Sequence, residues 1–230
     1  MPGFILLDKP AGRSSHWFVS LLRRVTGVRR IGHAGTLDPF ATGLLVMGVG
    51  REATRLLGGL TKGDKEYVAV ALLGATSDTQ DLTGVVTPTP DAKIPTEAEV
   101  RAAATKFVGP QLQTPPMYSA KKIGGQKLYD LARAGQTVER EPRAVTVHEL
   151  EILDYSPPRL TFRTRVTAGT YIRTIAHDLG QALGCGAYLE ELRRTAAGPF
   201  RVEDAVRPEE LTPENWQEKL IPPEDVDKTV

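Results

Sequence analysis

Residues 31–43, Ile31-Gly32-His33-Ala34-Gly35-Thr36-Leu37-Asp38-Pro39-Phe40-Ala41-Thr42-Gly43, constrain this chain more than any other stretch. Glycine at 32, 35 and 43 supplies backbone conformations closed to other residues, and Pro39 fixes its own φ directly after a carboxylate. The stretch therefore reads as a rigid turn. The apolar run Leu44-Leu45-Val46-Met47 that follows reads as a buried strand. Arg23, Arg24, Arg29 and Arg30 lie just upstream. A glycine-braced turn thus presents Asp38 and His33 beside a basic surface, and the rest of the chain reads as its support.

The 230 residues suffice for one large domain with its own core. One cysteine, Cys185, excludes an internal disulfide framework and fits a reducing compartment. Neither a secretory signal nor an apolar run near the ~20 residues of a membrane span is apparent, so the expectation is a cytoplasmic protein. The net charge of +1 hides an asymmetry. Residues 203–230 carry nine acids and three bases, whereas Lys9 to Leu37 holds six bases and no acid. That window suits contact with a polyanion.

Taken in order, Phe4–Leu7 reads as a strand closed by Lys9-Pro10-Ala11-Gly12. Ser14 or Ser15 caps a helix whose apolar positions are Phe18, Leu21, Leu22 and Val25, and Gly27 ends it. A short helix over 51–60 and a strand over Lys65–Leu73 follow. The polar turn Ala75–Gly84 pairs into Val85–Thr87, and Thr96 with Glu99 forms a capping box. Residues 110–127 form a long loop, Leu128–Ala134 a short helix, and Ala144–Leu153 a strand. Leu160, Phe162, Thr164 and Val166 share one face of the next strand. Helices are expected over 172–183 and over Tyr188–Arg194. From residue 203 the acidic, proline-containing segment reads as a partly disordered tail. The fold class is α+β.

None of His16, His33, His148 and His177 pairs with another His or Cys at metal-ligand spacing, so no metal is expected. Gly48-Val49-Gly50-Arg51-Glu52-Ala53 matches a degenerate dinucleotide fingerprint and raises an oxidoreductase as an alternative. Against it, the acid that closes the next strand, Asp78, stands 28 residues beyond Gly50, where about 20 is expected. Asp38 reads equally well as a turn cap and as a nucleophile or base, the latter if a cation keeps it ionised. His33, Tyr67, Tyr171 and Arg173 each admit a structural reading too.

Five blocks occur in sequence: LLDKPAGRSSH (6–16), GHAGTLDPFATGLL (32–45), KEYVAVALLG (65–74), PPMYSAKKIGGQKLYDLARAG (115–135) and GTYIRTIAHDLGQALGCGAYLEELRR (169–194). Together they resemble the TruB family of tRNA pseudouridine synthases, over roughly residues 4–200. The resemblance implies a pseudouridine synthase fold, a mixed, mostly antiparallel sheet flanked by helices, with residues 1–202 as the catalytic domain. It implies isomerisation of uridine 55 in the tRNA T-loop without a cofactor. Asp38 matches the catalytic aspartate, Arg173 the arginine paired with it, and Tyr67 the tyrosine stacked on the flipped base. His33 matches the residue that fills space vacated in the T-loop, while Tyr171 and Leu192 match pocket residues. Residues 115–143 match the loop and helix that clamp the RNA. Arg23, Arg24, Arg29, Arg30 and Lys65 are expected phosphate contacts. The implied partner is the T-arm of tRNA, bound by a monomer without a guide RNA. One departure is that 203–230 is too short and too acidic for a PUA-type RNA-binding domain. A tRNA-binding and folding module with secondary catalysis is the alternative from another class.

Overall fold

The computed structural model describes residues 2–119, 122–123, 126–127 and 138–227. The chain divides into two units, one of residues 1–68 and 192–230 and the other of residues 69–191.

In the first unit, β1 (Gly3–Lys9) pairs antiparallel with β3 (Thr42–Val49), and β2 (Ile31–His33) pairs antiparallel with β3. Alternation sends Phe4, Leu6, Leu44 and Val46 to one face of this sheet. There they meet Ala53, Leu57 and Leu60 of α2 (Gly50–Lys62). Ile5, Leu7, Leu45, Met47 and Val49 face the other way, onto Phe18, Val19 and Leu22 of α1 (Ser15–Thr26). With both faces covered, β3 reads as an unbroken apolar run rather than an alternating one. Ser14 caps α1 by accepting from the Trp17 N–H, and Gly27, at φ 70°, closes it in the left-handed region.

Two strands run from one unit into the other: β4 (Lys65–Leu73) and β12 (Ala187–Ala197). Within the first unit β12 lies parallel to β3, opposing Arg193 to Thr42 and Arg194 to Gly43, and turns back into β13 (Phe200–Arg201). An expected helix over Tyr188–Arg194 is thus a strand. Exposed Glu191 beside half-buried Glu190 breaks the alternation, which puts buried Leu189 and Leu192 three residues apart and imitates helical spacing.

Residues 203–227 are packed into the first unit, contrary to the expected partly disordered tail. Ile221 and Phe4 exchange two backbone hydrogen bonds, and Val206 bridges Leu6 and Asp8 in the same way. Leu211, Trp216 and Val226 are buried. Apolar residues placed singly among the acids do this work, and average composition conceals them.

The second unit holds β5 (Ala75–Ser77) paired with β6 (Val86–Pro88), α3 (Glu97–Thr105) behind its Thr96–Glu99 capping box, and β7 (Gly109–Gln113). Short β8 (Lys122–Ile123) and β9 (Gln126–Lys127) follow. The expected helix over Leu128–Ala134 lies outside the described residues. β10 (Arg143–Ser156) pairs antiparallel with both β7 and β11 (Arg159–Val166). Leu160, Phe162, Thr164 and Val166 are buried as the alternation predicts, and the Thr164 hydroxyl donates to the Glu149 carbonyl. α4 spans Ile172–Ala182. The architecture is α+β, and the strand pairings named here are antiparallel except that of β12 with β3.

Candidate active site

Asp38 sits half-buried on the loop between β2 and β3, and that loop is held by side chains from three other elements of the first unit. Ser15 Oγ accepts from the Leu37 N–H at 2.9 Å and donates to the Leu37 carbonyl at 3.0 Å. The Lys9 ammonium donates to the carbonyls of Ala41 (2.6 Å), Pro10 (3.0 Å) and Pro39 (3.3 Å). Arg194 donates through Nε to Leu44 (2.7 Å) and through Nη2 to Gly35 (3.3 Å). Lys9 and Arg194 are 0% and 1% exposed. Gly43, at φ 97°, lets the loop end against β12, since a Cβ there would lie 2.3 Å from the Arg194 carbonyl. The backbone on both sides of the carboxylate is therefore fixed before any substrate arrives.

The electrostatics of this loop are cationic. Burial lowers the Lys9 pKa to about 8, the charge of Asp38 opposes that shift, and Arg194 adds to it. A positive charge thus stands close to Asp38, where a cation favours the ionised form of a carboxylate. His33 ends β2 with its Nδ1 buried. Desolvation lowers its pKa, the Gly35 carbonyl counters this, and the charges of Arg194 and His16 reinforce it. The imidazole is therefore biased towards its neutral form. Tyr67 on β4 and Leu192 on β12 are buried, and the Leu192 carbonyl accepts from the Thr42 hydroxyl.

Lys65 differs from expectation. It is buried, and its ammonium caps the C-terminal end of α2 by donating to the carbonyls of Thr61, Gly63 and Leu60. Desolvation lowers its pKa to about 8. It is a helix cap inside the fold, not a phosphate contact. Arg23, Arg24, Arg29 and Arg30 are exposed, as a phosphate-facing role requires. Arg23 donates to the Arg29 carbonyl and Arg30 to the Thr54 hydroxyl, which hold the two clusters in place.

In the second unit Arg173 stands in the first turn of α4, 3% exposed. Its Nη1 donates to the Thr79 carbonyl at 2.8 Å and to Asp81 Oδ2 at 3.2 Å, and its Nη2 to the Tyr118 carbonyl at 2.7 Å. Asp81 is itself buried, and its other oxygen accepts from the Thr79 hydroxyl and from Thr83 N–H and Oγ1. Tyr171 is the N-cap of α4 and is bonded on both backbone groups by Gln113.

Sequence reasoning missed Lys9, Ser15, Arg194, Asp81 and Gln113. Lys9 had one visible signal, a lysine closing an apolar strand before a proline. The dinucleotide alternative fails on architecture. β3 runs antiparallel to β1 and β2, a Cβ on Gly48 would meet Leu57 at 3.2 Å, and one on Gly50 would meet Pro2 at 3.0 Å. Those glycines pack a strand-to-helix turn and leave no cradle for a pyrophosphate.

Comparison with known proteins points to one family. Residues 23–172 match the model of the TruB family pseudouridylate synthase N-terminal domain, and residues 173–229 that of the tRNA pseudouridylate synthase B C-terminal domain. The tRNA pseudouridine synthase B of Opitutus terrae is 52% identical over 206 residues, covering 90% of this chain and 85% of its own. That of Protochlamydia amoebophila is 47% identical over 222 residues, with 96% and 84% covered. Among solved structures, a chain of a Cbf5-Nop10-Gar1 complex superposes with a TM-score of 0.75 at 31% identity. The match covers 96% of this chain and 60% of that one.

Proposed function

The chain belongs to the TruB family of pseudouridylate synthases, and on that premise we infer that it is a tRNA pseudouridine synthase whose target is uridine 55 of the T-loop. The observation that carries the reading is the clamped loop around Asp38. A carboxylate on a loop whose Gly35, Leu37, Pro39 and Ala41 carbonyls are engaged by buried side chains is preorganised for attack, and preorganisation lowers a barrier without reorganisation at the moment of reaction.

The reaction is an isomerisation. The uracil N1–C1′ bond breaks, the base turns, C5 bonds to C1′, the C5 proton departs to solvent, and N1 takes up a proton in its place. Asp38 is the nucleophile: its carboxylate bonds to the nucleotide as the glycosidic bond is broken, and that bond is released again by the end of the reaction, which regenerates the free carboxylate. The uridine is first extruded, at a cost of a few kcal/mol. Stacking on Tyr67 returns about 1–3 kcal/mol of that. Tyr171 and Leu192 line the pocket by the family motif, and the same motif assigns Arg173 as the aspartate's partner. His33, biased neutral, suits insertion into the T-loop as a wedge. Arg23, Arg24, Arg29 and Arg30 meet phosphates, which position the RNA without reading its sequence. The protein acts as a cytoplasmic monomer on the T-arm, with no guide RNA and no cofactor.

Tritium release from tRNA labelled at uridine C5 tests this directly. Wild-type protein releases tritium with nothing added, and Asp38→Asn slows release by at least ~10³-fold, the scale expected on losing a nucleophile. Undiminished release from Asp38→Asn would remove the nucleophile assignment.

A further inference from the structure

Gln113 is the last residue of β7, 4% exposed, at the point where the chain leaves the sheet towards residues 115–143. Its side chain reaches 58 residues along the sequence to Tyr171. Nε2 donates to the Tyr171 carbonyl at 3.0 Å, and Oε1 accepts from the Tyr171 N–H at 2.7 Å. One amide thus satisfies both backbone groups of a residue, as a strand partner would. Tyr171 has no side-chain cap of its own, and its carbonyl also accepts the first helical bond of α4, from Ile175 at 3.2 Å. The start of a helix leaves its first amides without internal partners, so an external group there decides where the helix begins.

Arg173 follows two residues later. Its guanidinium must reach Thr79, Asp81 and Tyr118 at once, from a buried position where a missed hydrogen bond is costly. The Tyr118 carbonyl lies on the same stretch of chain that Gln113 begins. Gln113→Tyr171 and Arg173→Tyr118 therefore form two ties between that stretch and the first turn of α4.

We propose that Gln113 is a positioning residue for pseudouridine formation, fixing the backbone of Tyr171 so that the first turn of α4 presents Arg173 in its reactive orientation. It touches neither the RNA nor the reacting atoms. The proposal rests on the tRNA pseudouridine synthase reading above. A displacement of about 1 Å at a catalytic group costs about 10²-fold in rate, and this sets the scale.

The test measures single-turnover tritium release and tRNA affinity separately, for wild type, Gln113→Ala and Gln113→Glu. Gln113→Ala should slow release about 100-fold, with the tRNA dissociation constant within about threefold of wild type. Gln113→Glu keeps the shape and the acceptor but turns a charge on the Tyr171 carbonyl. When protonated, it restores the donor. Its rate, divided by that of wild type at the same pH, should therefore rise towards one as the pH falls. A residue that serves only stability would not give that profile. Affinity lost in step with rate, a ratio flat with pH, or failure of both variants to fold would each overturn the proposal. Wild-type protein is the control for the underlying reading: absence of release from it refutes the function before any variant is compared.

Discussion

Lys9 carries its charge where there is no bulk water. Three carbonyls, of Pro10, Pro39 and Ala41, take the place of solvent, and the Asp38 carboxylate adds attraction at longer range. Its folded pKa of about 8 lies below the ordinary 10.5, so it binds a proton less firmly folded than unfolded. Stability contributed by this residue is flat below about pH 8 and rises as the pH climbs to 10.5, because over that range the unfolded chain binds more protons. Lys9→Met strands the three carbonyls and should cost about 2–4 kcal/mol near pH 7. The wild-type advantage should be larger at about pH 9.5 than at about pH 7; urea denaturation at both values measures it, and a smaller advantage at the higher pH would contradict the assignment. The glycine turn and its carboxylate were legible in the sequence because local chemistry marks them. Lys9, Arg194 and Asp81 were not. A lone charged residue reads as solvated, and only burial by distant chain turns it into a clamp. Lys65 shows the converse: it read as an RNA contact and is a helix cap.

Two helical glycines separate backbone propensity from packing. Gly58 in α2 has nothing within 4 Å of where a Cβ would stand. Gly58→Ala should therefore stabilise the protein by about 0.5–1 kcal/mol, the intrinsic difference between the two residues in a helix. Gly180 in α4 faces Ala187 so closely that a Cβ would lie 2.3 Å from its backbone N. Gly180→Ala should destabilise by about 1–3 kcal/mol, as overpacking does. Thermal unfolding of the two variants should move in opposite directions, and a rise for both would remove the close contact as the reason for Gly180. The periodic elements were legible for the same reason that these predictions can be made: α1, β4 and β11 each carry one dominant pattern. β12 carries two in conflict, and pairing with β3 decides in favour of the strand.

The first unit is closed by the two ends of the chain. Residues 203–227 carry most of the acidic excess and look expendable by composition, yet they cover β1 and α1 with Leu211 and Trp216 and cover α2 with Val226. A chain ending at Arg201 should lose at least ~5 kcal/mol, since burial of each large apolar side chain contributes about 1.5–3 kcal/mol. Limited proteolysis and thermal unfolding of that truncation measure the loss; an unchanged melting temperature would restore the reading of a loose tail. The sheet order around β3 was not legible, because pairings across more than a hundred residues leave no local pattern. One of them governs the order of events as the protein is made. Synthesis proceeds from the N-terminus at about 5–20 residues per second, but the loop bearing Asp38 meets Arg194 only after most of the chain has emerged. For most of its time on the ribosome the nascent protein has only Lys9 and Ser15 to hold the Asp38 loop, and the Arg194 fastening of Gly35 and Leu44 is among the last things translation completes.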